Sequence, residues 1–219
     1  MNSDNDKYGF LFDLDGVIID SEKEYTRIWS TINKEYPSGY EDLAERIKGT
    51  TLFNILNKYY PDRNIQVKVE QRLHQLENQM DYNYLPGAQE FLKKLKSKKF
   101  PTALVTSSDN EKMSHLFAQH PELKEYFDIV ITGNLVKNSK PSPEGYLLGA
   151  EKIMCNPKNC VVFEDSLQGV KAGKNAGALV VGVCGTLKPE FLAPYSYILI
   201  NNFNEIDIDN LILTLRTNE

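Results

Sequence analysis

From residue 88 to residue 183 the chain alternates two kinds of segment, and this rhythm constrains the fold more than any other feature. Helical stretches at 88–99, 109–119, 143–154 and 166–176 are each followed by a short apolar run: TALVT (102–106), FDIVIT (127–132), CVVFED (160–165) and ALVVGV (178–183). A similar run at 8–12 opens the chain. Short, unbroken apolar runs alternating with helices indicate βαβ units and a parallel sheet covered on both faces. Such crossovers are right-handed almost without exception. The expected fold class is therefore α/β: a doubly wound, Rossmann-like parallel sheet.

The stretch between the first run and residue 88 breaks the rhythm. SEKEYTRIWSTINKEY, YEDLAERI, TLFNILNKYY and IQVKVEQRLHQLENQMDYNY are helical in character, with breaks at PSG (37–39) and YPDRN (60–64). Ser21 reads as the N-cap of the first helix, with Glu24 completing a capping box. The expectation is a helical domain over 17–85, inserted into a core formed by 1–16 and 86–219.

Composition narrows the function. The 219 residues are 41% hydrophobic and 25% charged, an ordinary globular balance with twelve Tyr and ten Phe for a core. The formal charge of -5 and the lack of a dense Lys/Arg block argue against a nucleic-acid partner. KKLKSKK (93–99) reads as the solvated face and end of a helix, where cations suit the dipole. No run approaches the ~18 apolar residues of a membrane span, and the N-terminus is polar. A cytoplasmic location without a membrane partner is expected. Cys155, Cys160 and Cys184 form no C-x-x-C pair, and reduced thiols are expected. His74, His115 and His120 sit in unrelated contexts and suggest neither a metal site nor a Ser/His/Asp triad.

In doubly wound sheets the ligand site lies beyond the carboxyl ends of the strands. The residues there are Asp13 and Asp15, then Thr106, Ser107 and Ser108, the loop with Lys140, and Glu164 with Asp165. Four carboxylates gathered at one edge cannot all stay ionised without a cation. An oxygen-rich acidic site without His or Cys suits Mg²⁺, which pairs readily with phosphate. The hydroxyls and Lys140 are donors suited to a phosphoryl group. Together these residue types point to phosphoryl transfer. The alternatives are plainer: an Asx turn at Asp13 and Asp15, helix N-capping by Glu164 or Asp165, and a loop lysine at 140 with Lys137 as its competitor. Ser142 reads as an N-cap, Asp20 as a capping or salt-bridge residue, and GVKAGKNAG (169–177) as helix packing, since its glycine spacing is too short for a P-loop.

DLDGVIIDS (13–21), VTSS (105–108), SKPSPE (139–144) and FEDSLQGVKAGKNAG (163–177) occur in this order. They resemble the four signatures of the haloacid dehalogenase superfamily, over essentially the whole chain. The helical insert is similar to the cap of the subgroup containing β-phosphoglucomutase and phosphoglycolate phosphatase. The resemblance implies that Asp13 is the nucleophile, forming an aspartyl-phosphate, and that Asp15 is the general acid and base. It implies Mg²⁺ held by Asp13, the Asp15 carbonyl and Asp165, with Glu164 as a ligand or behind one. Thr106, Ser107, Ser108 and Asn110 would bind phosphoryl oxygens, Lys140 would neutralise their charge, and Gly16 would allow a tight turn. From the cap, Glu22, Lys48 and Gly49 would face the substrate.

Arg27 and Trp29 match the mutase cap, but Tyr25 and Leu52 stand where it carries a His and an Arg. Hydrolysis of a small phosphorylated metabolite is therefore the expected activity, with a sugar-phosphate mutase as the alternative. A response-regulator receiver shares the residue types but has no cap and no nucleophile on its first strand. A monomer is compatible with this organisation.

Overall fold

The computed structural model describes residues 7–217. Strand β1 (Gly9–Phe12) is followed by helices α1 (Glu22–Glu35), α2 (Leu43–Arg46), α3 (Leu52–Tyr59) and α4 (Arg63–Glu77). Then come α5 (Ala88–Ser97), β2 (Thr102–Val105), α6 (Asn110–Gln119), α7 (Leu123–Tyr126) and β3 (Ile129–Ile131). The chain continues through α8 (Glu144–Lys152), β4 (Cys160–Glu164), α9 (Leu167–Asn175) and β5 (Leu179–Val183). It closes with α10 (Pro189–Leu192), β6 (Ile198–Ile200) and α11 (Ile208–Thr217).

The six strands form one parallel sheet in the order β3-β2-β1-β4-β5-β6. Strand β1 sits inside the sheet, pairing Phe10 with Thr102 on one side and with Val161 on the other. The winding reverses between β1 and β4, so loops that leave their carboxyl ends in opposite directions open a crevice there. Every residue of β1, β2 and β4 is buried, as strands covered on both faces must be.

Alternation along β1 divides the core. Phe10 and Phe12 enter one layer with Phe91 of α5, Leu116 of α6 and Leu211 of α11; Leu11 enters the other with Tyr146 of α8 and Val170 of α9. Phe12 stacks on Phe163 of β4 with ring centroids 4.7 Å apart. Each such side chain contributes about 1.5–3 kcal/mol by leaving water. The first β-strand is thus pinned, and with it the residues that follow Phe12.

The expected helical segment between β1 and α5 is present, with α1 packed on α2 and α4, and α3 on α4. Asp62 caps α4 by accepting from Asn64 N–H at 2.8 Å. That helix stops at Glu77 rather than continuing to Tyr84. The chain beyond it is drawn into pairing with the other connection: Asp20 N–H donates to Asn83 O and Leu85 N–H to Ile18 O, both at 2.8 Å. Ser21 occupies the N-cap position of α1 but makes no capping bond, and its hydroxyl donates to the Asp15 carboxylate. Strand β6 and helices α7, α10 and α11 complete elements that the apolar rhythm did not announce. No helix among the described residues is long and apolar enough to cross a membrane.

Candidate active site

Beyond Phe12 the chain turns sharply. Gly16 adopts φ +72°, and a Cβ there would lie 1.9 Å from Asp165 Oδ2. Only glycine permits both the left-handed backbone and this approach. The turn brings Asp13 and Asp15 from β1 to Asp165 after β4, across the crevice where the winding reverses.

Lys140, on the loop after β3, reaches into the same place. Its Nζ lies 2.5 Å from Asp13 Oδ1 and 2.5 Å from Glu164 Oε1. Lys137 is exposed, so Lys140 is the lysine that meets the carboxylates. Glu164 is fully buried and its two oxygens serve five donors. Lys140 and the Tyr146 hydroxyl reach Oε1; Asp165 N–H, Ser166 N–H and the Ser166 hydroxyl reach Oε2. A Cβ at Gly169 would lie 1.7 Å from Oε1, so the glycine in α9 makes room for this carboxylate. Helix N-capping falls to Ser166, which accepts from Gly169 N–H, and not to Glu164 or Asp165. Ser142 is not the N-cap, a position taken by Pro143, although its hydroxyl accepts from Glu144 N–H at 3.3 Å.

Burial dominates the electrostatics. It pushes the Asp13 carboxyl up to about 7, against the pull of Lys140 and with help from Glu164 and Asp15. Burial and the neighbouring Glu164 hold Asp165 well above the usual carboxylate range, although the Thr186 hydroxyl donates to it. Paired with Asp13 and Glu164, Lys140 stays charged, its pKa raised despite burial. Asp13, Asp15, Glu164 and Asp165 face two ammonium groups, Lys140 and Lys112. Were all four carboxyls ionised, they would exceed the two ammonium groups by two charges, which a divalent cation would balance. Among the described residues no three His, Cys, Asp or Glu side chains converge as a metal cage. Asp13 and Asp165 are two buried carboxylates, oxygen donors of the kind suited to a hard cation that keeps most of its water.

Thr106 is buried at the end of β2, and its hydroxyl accepts from Ser108 N–H at 3.0 Å. Ser108 Oγ donates to Asp15 Oδ2 at 3.0 Å, and Ser107 Oγ donates to Gly49 O at 3.1 Å. The Lys48–Gly49 loop therefore closes over the core site. Lys48 Nζ lies 3.1 Å from Glu22 and 3.0 Å from Glu45. Asn110 is not gathered with the others: it is exposed, and its amide oxygen accepts from Thr132. Position 110 is the first residue of helix α6, and its side chain meets Thr132 rather than Asp15.

Sequence reasoning missed Lys112. It is 3% exposed, its Nζ pairs with Asp15 Oδ2, and it lies 4.2 Å above the Tyr25 ring. No local pattern marked it: Ser108 and the extended Asp109 precede the helix, so helical spacing does not relate Ser108 to Lys112. Asp15 is thus held by Ser21, Ser108 and Lys112 together. Beside it lies a cavity of about 120 Å³ between core and helical insert, lined by Glu22, Tyr25, Lys48, Gly49, Glu77 and Lys112 among others.

Comparison with known proteins agrees with this arrangement. Residues 10–183 match the family model for haloacid dehalogenase-like hydrolases. A phosphorylated carbohydrates phosphatase of Thermotoga maritima is 36% identical over 175 residues, covering 76% of this chain and 80% of its own. Hexitol phosphatase A of Escherichia coli is 33% identical over 181 residues, 80% of this chain and 82% of its own. Among solved structures, a β-phosphoglucomutase from Clostridium difficile superposes with a TM-score of 0.80 at 25% identity, covering 97% of this chain and 98% of that one.

Proposed function

The chain belongs to the haloacid dehalogenase-like hydrolase family, and on that premise we propose that it hydrolyses phosphate monoesters of small carbohydrate-like metabolites. The observation that carries this reading is the Lys140 ammonium bridging Asp13 and Glu164 at the carboxyl ends of the strands. Lys140 holds Asp13 Oδ1, which aims Oδ2 at phosphorus as the nucleophile. The new P–O bond forms to Asp13 as the bond to the ester oxygen breaks. Asp15 gives a proton to that departing oxygen and later takes one from the water that cleaves the aspartyl-phosphate. The Thr106 hydroxyl and the Ser107 N–H donate to the phosphoryl oxygens, while the donors of Ser108 are taken by Asp15 and Thr106. Glu164, with all its bonding capacity spent on protein donors, is the anchor of Lys140 rather than a ligand. Asp13, Asp165 and the Asp15 carbonyl are the groups that would hold Mg²⁺, which supplies charge neutralisation at the phosphoryl oxygens when bound. The helical insert over 17–85 acts as a cap that covers the crevice and excludes bulk water.

The relatives named for phosphorylated carbohydrates and hexitols support the substrate class. The β-phosphoglucomutase likeness keeps a mutase as the second reading. Inorganic phosphate release across sugar and polyol phosphates, with Mg²⁺, with a chelator and with Asp13→Asn, tests the proposal. Release that requires both the metal and Asp13 supports it. Isomerisation of a phosphosugar without phosphate release would transfer the assignment to the mutase.

A further inference from the structure

The cavity beside Asp15 has an acid that the chemistry above does not use. Glu77, in the last turn of α4, is 4% exposed. Its Oε1 accepts from the Tyr25 hydroxyl at 2.6 Å, while Oε2 is buried without a hydrogen-bond partner. Buried carboxylate oxygens are rarely left so, and Glu77 is one of the residues that line the cavity.

The cations lining the cavity are already engaged. Lys48 faces Glu22 and Glu45, and Lys112 faces Asp15. The remaining acid on the wall, Asp109, pairs with His74. An anionic substituent entering here would thus find no unpaired cation and a buried carboxyl. The cavity, about 120 Å³, is of the order of one that holds a benzene-sized group, which is room for a chain of a few carbons.

We propose that Glu77 is a specificity-determining residue: its Oε2 accepts a hydrogen bond from a hydroxyl of an uncharged polyol leaving group, and the cavity rejects substrates that carry a second phosphate or a carboxylate. This rests on the hydrolase reading above and names the leaving groups that it selects. Discrimination arises both from the bond gained by the hydroxyl and from the unpaired charge imposed on the competitor.

The test compares kcat/KM for glycerol, tetritol and pentitol monophosphates with that for phosphoglycolate, a sugar bisphosphate and p-nitrophenyl phosphate. The polyol esters are expected to exceed the two doubly anionic compounds by at least about tenfold. Glu77→Leu should lower kcat/KM for the polyol esters at least about tenfold more than for p-nitrophenyl phosphate, and Glu77→Gln, which keeps an acceptor, should recover most of it. Calorimetry of the same ligands on Asp13→Asn, with and without the Glu77 changes, reads the preference without turnover. Equal losses on every substrate, or a preference for the bisphosphate or phosphoglycolate, would overturn the assignment of Glu77. If no compound released phosphate while the calorimetric order held, the hydrolase reading would fall and the role of Glu77 would stand.

Discussion

The imidazole of His74 lies with Nε2 3.1 Å from Asp109 Oδ2, and this pair ties the last turn of α4 to the loop after β2. Its other nitrogen, Nδ1, is 2.9 Å from Glu111 Oε2. One side chain of the helical insert is therefore gripped by two carboxylates of the sheet layer, beside the cavity that the substrate would enter.

The hydrogen bond to Asp109 raises the pKa of His74, against the opposing effect of burial. A raised value means that the folded state favours the protonated ring. The stabilisation is then complete below about pH 6.5 and is lost as pH climbs through the native value. His74→Gln should lower Tm by about 2 °C at pH 6 and leave it unchanged near pH 9. A deficit that did not vary with pH would show that packing, not charge, holds this contact.

Lys112 supplies the cation at Asp15. Lys112→Met leaves that carboxylate with the Ser21 and Ser108 hydroxyls alone. We expect kcat/KM to fall about a hundredfold if Asp15 is the acid and base proposed above, because it loses its alignment. Unfolding in urea should report a loss of roughly 1–3 kcal/mol. Were stability to drop while kcat/KM stayed within about twofold, the pair would belong to folding alone.

Glu164→Gln turns an acceptor-only group into one that must aim an N–H₂ at Lys140 and Tyr146 or at the Asp165 and Ser166 amides. Either orientation opposes donors, at about 2–4 kcal/mol. The variant should unfold at clearly lower urea, and its residual activity should resemble that of Lys140→Met. Wild-type behaviour in both assays would remove Glu164 as the anchor.

Mg²⁺ should raise the melting temperature in the absence of substrate, since Asp13 and Asp165 are buried acids in want of a cation. At a hundredfold excess over Kd the gain is about 2.7 kcal/mol, or roughly 5–10 °C for a chain of this size. A chelator should reverse it, and Asp165→Asn should shift the response to higher Mg²⁺. No shift in wild type at millimolar Mg²⁺ would argue against a cation at these oxygens.

Much of the site was legible in the linear order of residues. Asp13, Asp15, Thr106, Lys140 and Asp165 follow strands, and Glu164 ends one, whose unbroken apolar runs identify them without any contact being known. A parallel sheet then delivers whatever follows its strands to one edge. Helix α11 had a signal that was passed over, Ile208, Leu211, Ile212 and Leu215 recurring at helical spacing. Strand β6 had almost none: it is three residues long, and Ile198 is exposed at the sheet edge. Asn110 shows the limit of reasoning by loop membership, because one residue's rotation at the start of α6 carried it out of the site.

The sequence by itself determined the strand ends, their chemistry and the presence of a helical insert, since period and strand-terminal position are properties of the chain alone. The tertiary structure decided that Lys112 faces Asp15, that Ser21 serves Asp15 and not its helix, that Glu77 keeps an unpartnered oxygen, and that His74 grips Asp109. These residues lie on helices and their entrances, where the side chain's direction depends on how the helical insert is seated on the sheet. That seating is the sum of many apolar contacts distant in sequence, which no local pattern records.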